Sequence, residues 1–239
     1  MLKTRSSRVA LLAAYAERYV LSLAYLGFTW VEFHKLQLIW LGPPNTSGAE
    51  AVQAAGHVIL LFLNFFVGIL LLLGRRVAVP PQNPRDIAIP LATSFFSLIY
   101  NAAPWFPSWL LRNLCSADWR VPFTVAGLFL GLCGPAVAIW SVLFLGRSFG
   151  IFVVVRKVVL DGPYRWVRHP MYLGYIFMLA GLVLVDFAPA YLVLVPIHIA
   201  LLLYRAHLEE TRLSEYSADY REYMKRTGFI FPRLRHPVP

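Results

Sequence analysis

Six long apolar stretches alternate with short polar ones along this chain. A helix needs about 20 mostly apolar residues to cross the hydrocarbon core of a bilayer. Stretches near that length run at about Val9–Phe33, Val52–Leu73, Ile87–Trp105, Pro122–Leu145, Met171–Phe187 and Ala190–Tyr204. Glu17 and Arg18 interrupt the first. Only Ala188 and Pro189 part the last two, which predicts a helical hairpin with a tight turn. Leu41–Ala49 (LGPPNTSGA) and Val77–Arg85 (VAVPPQNPR) read as turns, punctuated by Pro and Asn. Beyond the sixth stretch the pattern changes. In His207–Arg226 (HLEETRLSEYSADYREYMKR), Leu208, Leu213, Tyr216, Tyr220 and Tyr223 recur at helical spacings. They predict an amphipathic helix, with a break near Ser217, that packs its aromatic face back onto the apolar bundle. The pattern as a whole predicts an all-α integral membrane protein of about six transmembrane helices with a C-terminal amphipathic helix.

Composition sharpens this. Of the 239 residues, 59% are hydrophobic and 14% charged, where a soluble domain carries about 25% charged residues. Mean hydropathy is +0.61. The length suits one membrane domain with little left for a soluble one. A net charge of +10 would suit nucleic acid, but the basic residues sit between the apolar stretches and in the tail, as orientation signals do. Eighteen of the 22 Lys and Arg fall on one side if both termini are cytoplasmic. The remaining four are Arg18, Lys35, Arg112 and Arg120. No cleavable signal peptide is expected, because Glu17 and Arg18 break the first apolar run. Cys115 and Cys133 form no CxxC pair, and none of the six histidines falls in HxxxH spacing, so neither a disulfide framework nor a metal centre is expected.

Two polar clusters stand out against this background. Tyr164, Arg165, Arg168, His169 and Tyr172 lie where the fifth stretch begins, and Arg205, His207, Glu209 and Glu210 lie where the sixth ends. A hairpin makes those two ends neighbours. Ionisable groups at a membrane boundary are costly and mark a functional site.

The string DGPYRWVRHPMYLGY, followed by a helical hairpin, then R-x-x-x-E-E, then Tyr-x-x-x-Tyr-x-x-Tyr, resembles the isoprenylcysteine carboxyl methyltransferase family and its phospholipid-methyltransferase relatives. The likeness runs from Leu145 to Pro232. It departs at Tyr216-Ser217, where the family often has Phe-Gly. The resemblance implies residues 1–145 as N-terminal transmembrane helices and 146–239 as a methyltransferase-like cofactor-binding region. It implies S-adenosylmethionine as cofactor on the cytoplasmic side, a lipophilic or lipidated acceptor arriving through the membrane lipids, and no nucleic acid. It implies Arg205 and Glu210 near the reacting groups, His169 against the cofactor and Tyr172 as a wall. The chemistry suits this: Glu209 or Glu210 for the ammonium or sulfonium, Arg168 for the carboxylate through a two-point contact, and aromatic faces such as Tyr164 and Tyr172 for the cation.

Plainer readings compete. Arg165 and Arg168 also suit positive-inside anchors and Trp166 an interfacial anchor, while Arg205 and Glu209 also suit a simple i,i+4 pair on a surface helix. His57, Asn64, Asn101 and His198 read as interhelical hydrogen-bonding groups rather than ligands. At the level of function, an NADPH-dependent membrane reductase of the sterol type is one rival. A non-enzymatic lipid-binding or transport protein is another, although no broken midplane helices or repeats speak for it.

Overall fold

The computed structural model describes residues 12–41, 48–74, 77–101 and 105–233. Among them the chain is helical and forms no strand. Two helices, Ala117–Ser148 and Pro189–Tyr216, are long and apolar enough to cross a membrane, and Gly56–Leu72 and Pro170–Val185 are shorter apolar helices. Their outer faces carry large apolar side chains in the open: Phe129 is 65% exposed, Leu132 58% and Val193 60%. A soluble monomer rarely presents so much contiguous apolar surface, whereas lipid tails solvate it. Most of the turn expected at Leu41–Ala49, and the basic residues Lys3, Arg5, Arg8, Arg75, Arg76 and Arg235, lie outside the described residues.

The helices fall into two compact units. The first spans Met1–Pro80 with Gly146–Gly150. It holds α1 (Ser22–Leu41), entered through a π-helical turn Ala16–Leu21, and α2 (Gly48–Leu72). Arg18 Nε donates to the Leu72 carbonyl at 2.8 Å, and Glu32 Oε2 meets His57 Nδ1 at 2.6 Å. A Cβ on Gly68 would sit 3.0 Å from Leu26 Cγ. Partners that climb one helix as they descend the other make the pair antiparallel. Glu17 and Glu32 are buried within it, and Lys35 Nζ also donates to Glu32, at 3.1 Å. His57 thus takes the interhelical role its position suggested.

The second unit spans Pro81–Leu145 and Ile151–Pro239. Its helices are α3 (Arg85–Phe95), α4 (Ser97–Asn101), α5 (Ser108–Leu111), α6 (Ala117–Leu145), α7 (Pro170–Val185), α8 (Pro189–Tyr216) and α9 (Ala218–Arg226). The backbones of α6 and α7 nearly touch. A Cβ on Gly127 would lie 2.7 Å from the Gly181 carbonyl oxygen, and one on Gly134 would lie 2.6 Å from that of Gly174. Small residues at such crossings supply the van der Waals contact that holds helices together where no water drives them.

The third expected span is an interrupted one. It is divided at Phe96 into α3 and α4, and each part is too short to cross a bilayer. Phe96 itself keeps helical backbone angles, φ −57° and ψ −32°. The preceding Thr93 carbonyl lies 3.1 Å from His198 Nε2 on α8, which must be the donor to a carbonyl oxygen. His198 Nδ1 is then the acceptor for the Tyr100 hydroxyl at 3.2 Å. Thr93 and Ser97 hydroxyls add bonds to the carbonyls of Ile89 and Ser94, competition that weakens a helix.

The hairpin forms as the sequence predicts. Asp186 caps α7, Ala188 is buried, and Pro189 opens α8 at the position where a missing N–H costs nothing. Leu114 N donates to Phe187 O at 2.7 Å and Asn113 Nδ2 to Val185 O at 3.3 Å, which ties the turn down from outside. The last helix does not stop at Tyr204. It continues without a break through R-x-x-x-E-E to Tyr216. The expected break at Ser217 is present: its backbone leaves the helix, and its side chain accepts from Tyr220 N to start α9. One non-helical stretch, Ile151–Val155, is as buried as any helix core, with Ile151, Val153 and Val155 each 1% exposed.

Candidate active site at the end of the hairpin

The start of α7 is fixed from two directions. His169 is its N-cap residue and Pro170 its first residue. Upstream, the backbone of 166–169 pairs with the tail: Arg168 N donates to Gly228 O at 2.8 Å, His169 N to Phe229 O at 3.2 Å, and Gly228 N to Trp166 O at 3.3 Å. Only glycine fits at 228, because a Cβ there would collide with the Phe231 carbonyl. This short pairing brings the Phe229 ring edge-on to the His169 ring, centroids 5.1 Å apart.

On α8, Arg205 and Glu209 share one face, four residues apart, and Glu210 is turned about 100° from its neighbour. The two carboxylates therefore pair with different arginines, while His169 lies 3.9 Å from Glu209 Oε2 through its Nδ1 and 3.3 Å from Glu210 Oε1 through its Nε2. Glu210 Oε1 is bound by Arg168 Nε, and its Oε2 lies 3.4 Å from Arg168 Nη2. Glu209 Oε1 accepts from the Tyr172 hydroxyl at 2.5 Å and from Arg205 Nε at 3.1 Å. His169 stacks on Tyr172 with centroids 5.4 Å apart and planes 8° from parallel. The Arg205 guanidinium lies 5.5 Å from the Tyr172 ring centre. Ions this deeply buried are costly unless paired, and the side chains of Arg168, Arg205 and Glu210 are each less than a tenth exposed.

Two further elements anchor the guanidinium groups. Arg168 Nη1 donates to the carbonyls of Met224 at 3.1 Å and Thr227 at 2.5 Å, which locks α9 over the hairpin. Arg205 Nη2 donates to Ile151 O at 2.8 Å, and its Nη1 lies 3.4 Å from Ser94 Oγ.

Six sequence-predicted residues thus meet: Arg168, His169, Tyr172, Arg205, Glu209 and Glu210. Tyr164 sits at the margin. Its hydroxyl donates to Ser141 O on α6 at 3.4 Å, and its carbonyl accepts from Tyr223 at 2.6 Å. Burial pushes the Tyr164 phenol well above its ordinary range, with the Glu209 carboxylate adding to the effect. Burial likewise raises the Tyr223 phenol, to about 12. Arg165 and His207 are exposed and stand apart from the cluster. Trp166 is 56% exposed, as an interfacial anchor would be.

Sequence reasoning did not single out Ser94, Ile151 or Phe229. A signal existed for one of them. The run IFVVV at 151–155 is apolar and β-branched, the pattern of a short buried extended segment.

The arrangement offers carboxylates, guanidinium groups and aromatic faces within one buried cluster. Among the described residues no group of His, Cys, Asp and Glu is placed to hold a metal ion. Fold and cluster together define a helical protein of membrane type whose ionic site closes the end of a hairpin. Residues 127–215 match the model of the isoprenylcysteine carboxyl methyltransferase (ICMT) family. The segment contains all six clustered residues. The protein-S-isoprenylcysteine O-methyltransferase of Saccharomyces cerevisiae is 32% identical over 123 residues, which cover 46% of this chain and 48% of that protein. The chain thus spans about half the length of the curated relative it matches.

Proposed function

We propose that the protein transfers a methyl group from S-adenosylmethionine to a lipophilic acceptor in a membrane, and that the acceptor group is an isoprenylcysteine carboxylate. One observation carries the reading: the RHPMY and R-x-x-x-E-E residues form a single buried ionic cluster inside the segment that matches the family. The multi-pass reading with both termini cytoplasmic belongs to the same proposal and rests on the distribution of Lys and Arg. So does the assignment of 146–239 as the cofactor-binding region.

The donor set suits this cofactor. S-adenosylmethionine supplies a methyl group made electrophilic by its sulfonium. Glu209 and Glu210 are the groups for its positive charges, Arg168 and His169 for its carboxylate, and the rings of Tyr172 and Tyr164 for the cationic and apolar parts. Arg205 holds the acceptor carboxylate. A carboxylate is already a nucleophile, so no base is required and the residues act chiefly by positioning. With an amine or thiol acceptor a proton has to leave, and Glu210 or His169 is then the base.

The test is a methyl-transfer assay with labelled cofactor and a panel of prenylated cysteine, phospholipid and thiol acceptors. Label moving to the prenylated cysteine as a base-labile ester supports the reading. Transfer to another member of the panel replaces the acceptor, and no transfer to any of them, with no binding of S-adenosylhomocysteine, rejects the proposal.

A further inference from the structure

Arg205 owes its orientation to groups outside its own helix. Its Nη2 is held by the Ile151 carbonyl, which belongs to a stretch with no helix to stiffen it. What fixes that stretch lies two residues on: Val153 N donates to the Asp86 carbonyl at 2.9 Å. Asp86 is 1% exposed. Its Oδ2 accepts from Gln82 N at 2.8 Å and from Asn83 N at 3.0 Å. The same oxygen accepts from Arg212 Nη2 at 3.1 Å. Arg212 Nη1 in turn donates to Gln82 Oε1 at 3.0 Å and to Glu215 at 3.1 Å.

Arg212 follows Arg205 by seven residues, close to two full turns, so both face the same way from α8. The helix is therefore gripped at two points by one assembly, the start of α3 and the 151–153 stretch. One grip is the Asp86–Arg212 ion pair and the other is the Ile151–Arg205 bond. A buried ion pair is a weak source of stability, and apolar residues of similar volume often serve as well. Its use here is better sought in what it orients.

We propose that Asp86 and Arg212 are a positioning pair. Through Val153 and Ile151 they set the direction of the Arg205 guanidinium, and thereby the binding of the acceptor carboxylate. Neither residue touches acceptor or cofactor. The inference rests on the reading of Arg205 given above.

The test uses the full-length protein in lipid nanodiscs, with a small prenylated cysteine as acceptor and S-adenosylhomocysteine as the cofactor-site probe. Asp86→Asn and Arg212→Gln should each raise the acceptor KM about tenfold and leave the affinity for S-adenosylhomocysteine within about twofold. Arg212→Lys, which keeps the charge, should recover most of the loss. In an Arg205→Lys background, Asp86→Asn should add little, because coupled residues are non-additive. An unchanged acceptor KM in Arg212→Gln overturns the proposal, and so does an undiminished effect of Asp86→Asn beside Arg205→Lys. If Asp86→Asn does not fold, the Arg212 variants decide alone. Wild-type acceptor KM in Arg205→Ala would instead remove the reading of Arg205, and the pair's role with it.

Discussion

Glu209 and Glu210 are adjacent in sequence and share His169, but Glu209 pairs with Arg205 and Glu210 with Arg168, so substitutions should separate them. Glu210→Gln leaves the Arg168 charge buried without its carboxylate. Breaking one partner of a buried pair costs about 3–5 kcal/mol, so a fall in thermal stability and loss of S-adenosylhomocysteine binding are expected, read by unfolding and calorimetry. Tyr172→Phe removes one hydrogen bond to Glu209 and leaves Arg205 in place. It should cost about 1 kcal/mol and weaken turnover more than folding. The tyrosines predict a pH dependence. The folded protein holds the Tyr223 phenol up to about 12, above an unfolded value near 10. A raised folded value adds stability that is fully present below the unfolded value and is lost as pH rises through the folded one. Chemical denaturation of the wild type should therefore show stability falling above about pH 10, and Tyr223→Phe should lessen that fall.

The elements show which parts of the site a sequence reveals. RHPMY and R-x-x-x-E-E are legible because a two-residue turn between apolar stretches forces their ends together. Ser94 and Ile151 are not, because nothing in the spacing says that the third stretch and a loop arrive at Arg205. The division at Phe96 was equally hidden. Hydropathy does not register a histidine on α8 that reaches the Thr93 carbonyl. The tail contacts through Gly228 and Phe229 fall beyond the matched 127–215, yet they hold the start of α7. The closeness of α6 and α7 gives a test at this scale. Gly134→Leu places a side chain 2.6 Å from a backbone oxygen and should destabilise by about 1–3 kcal/mol, with the cluster's binding lost alongside. Gly131→Ala, where an added Cβ meets nothing within 4 Å, is the matched control and should be neutral. Thermal unfolding in one lipid or detergent compares the two.

At the scale of the whole molecule, the exposed apolar faces of Phe129, Leu132 and Val193 call for lipid around the helices. The proposed orientation predicts that single cysteines placed at residues 4 and 237 are labelled by an impermeant reagent from the same side of sealed vesicles. Labelling from opposite sides would overturn it. The unbroken run from Pro189 to Tyr216 has a mechanical consequence. A helix of 28 residues is about 42 Å long, against a hydrocarbon core of about 30 Å. One continuous helix, with Pro196 inside it, thus carries the lipid-facing surface at one end and Arg205, Glu209 and Glu210 towards the other. When acyl chains are shortened or lengthened, such a helix tilts or slides to match the slab. The acid–base pairs ride with it, so turnover should pass through an optimum as reconstituted lipids are varied from fourteen to twenty-two carbons.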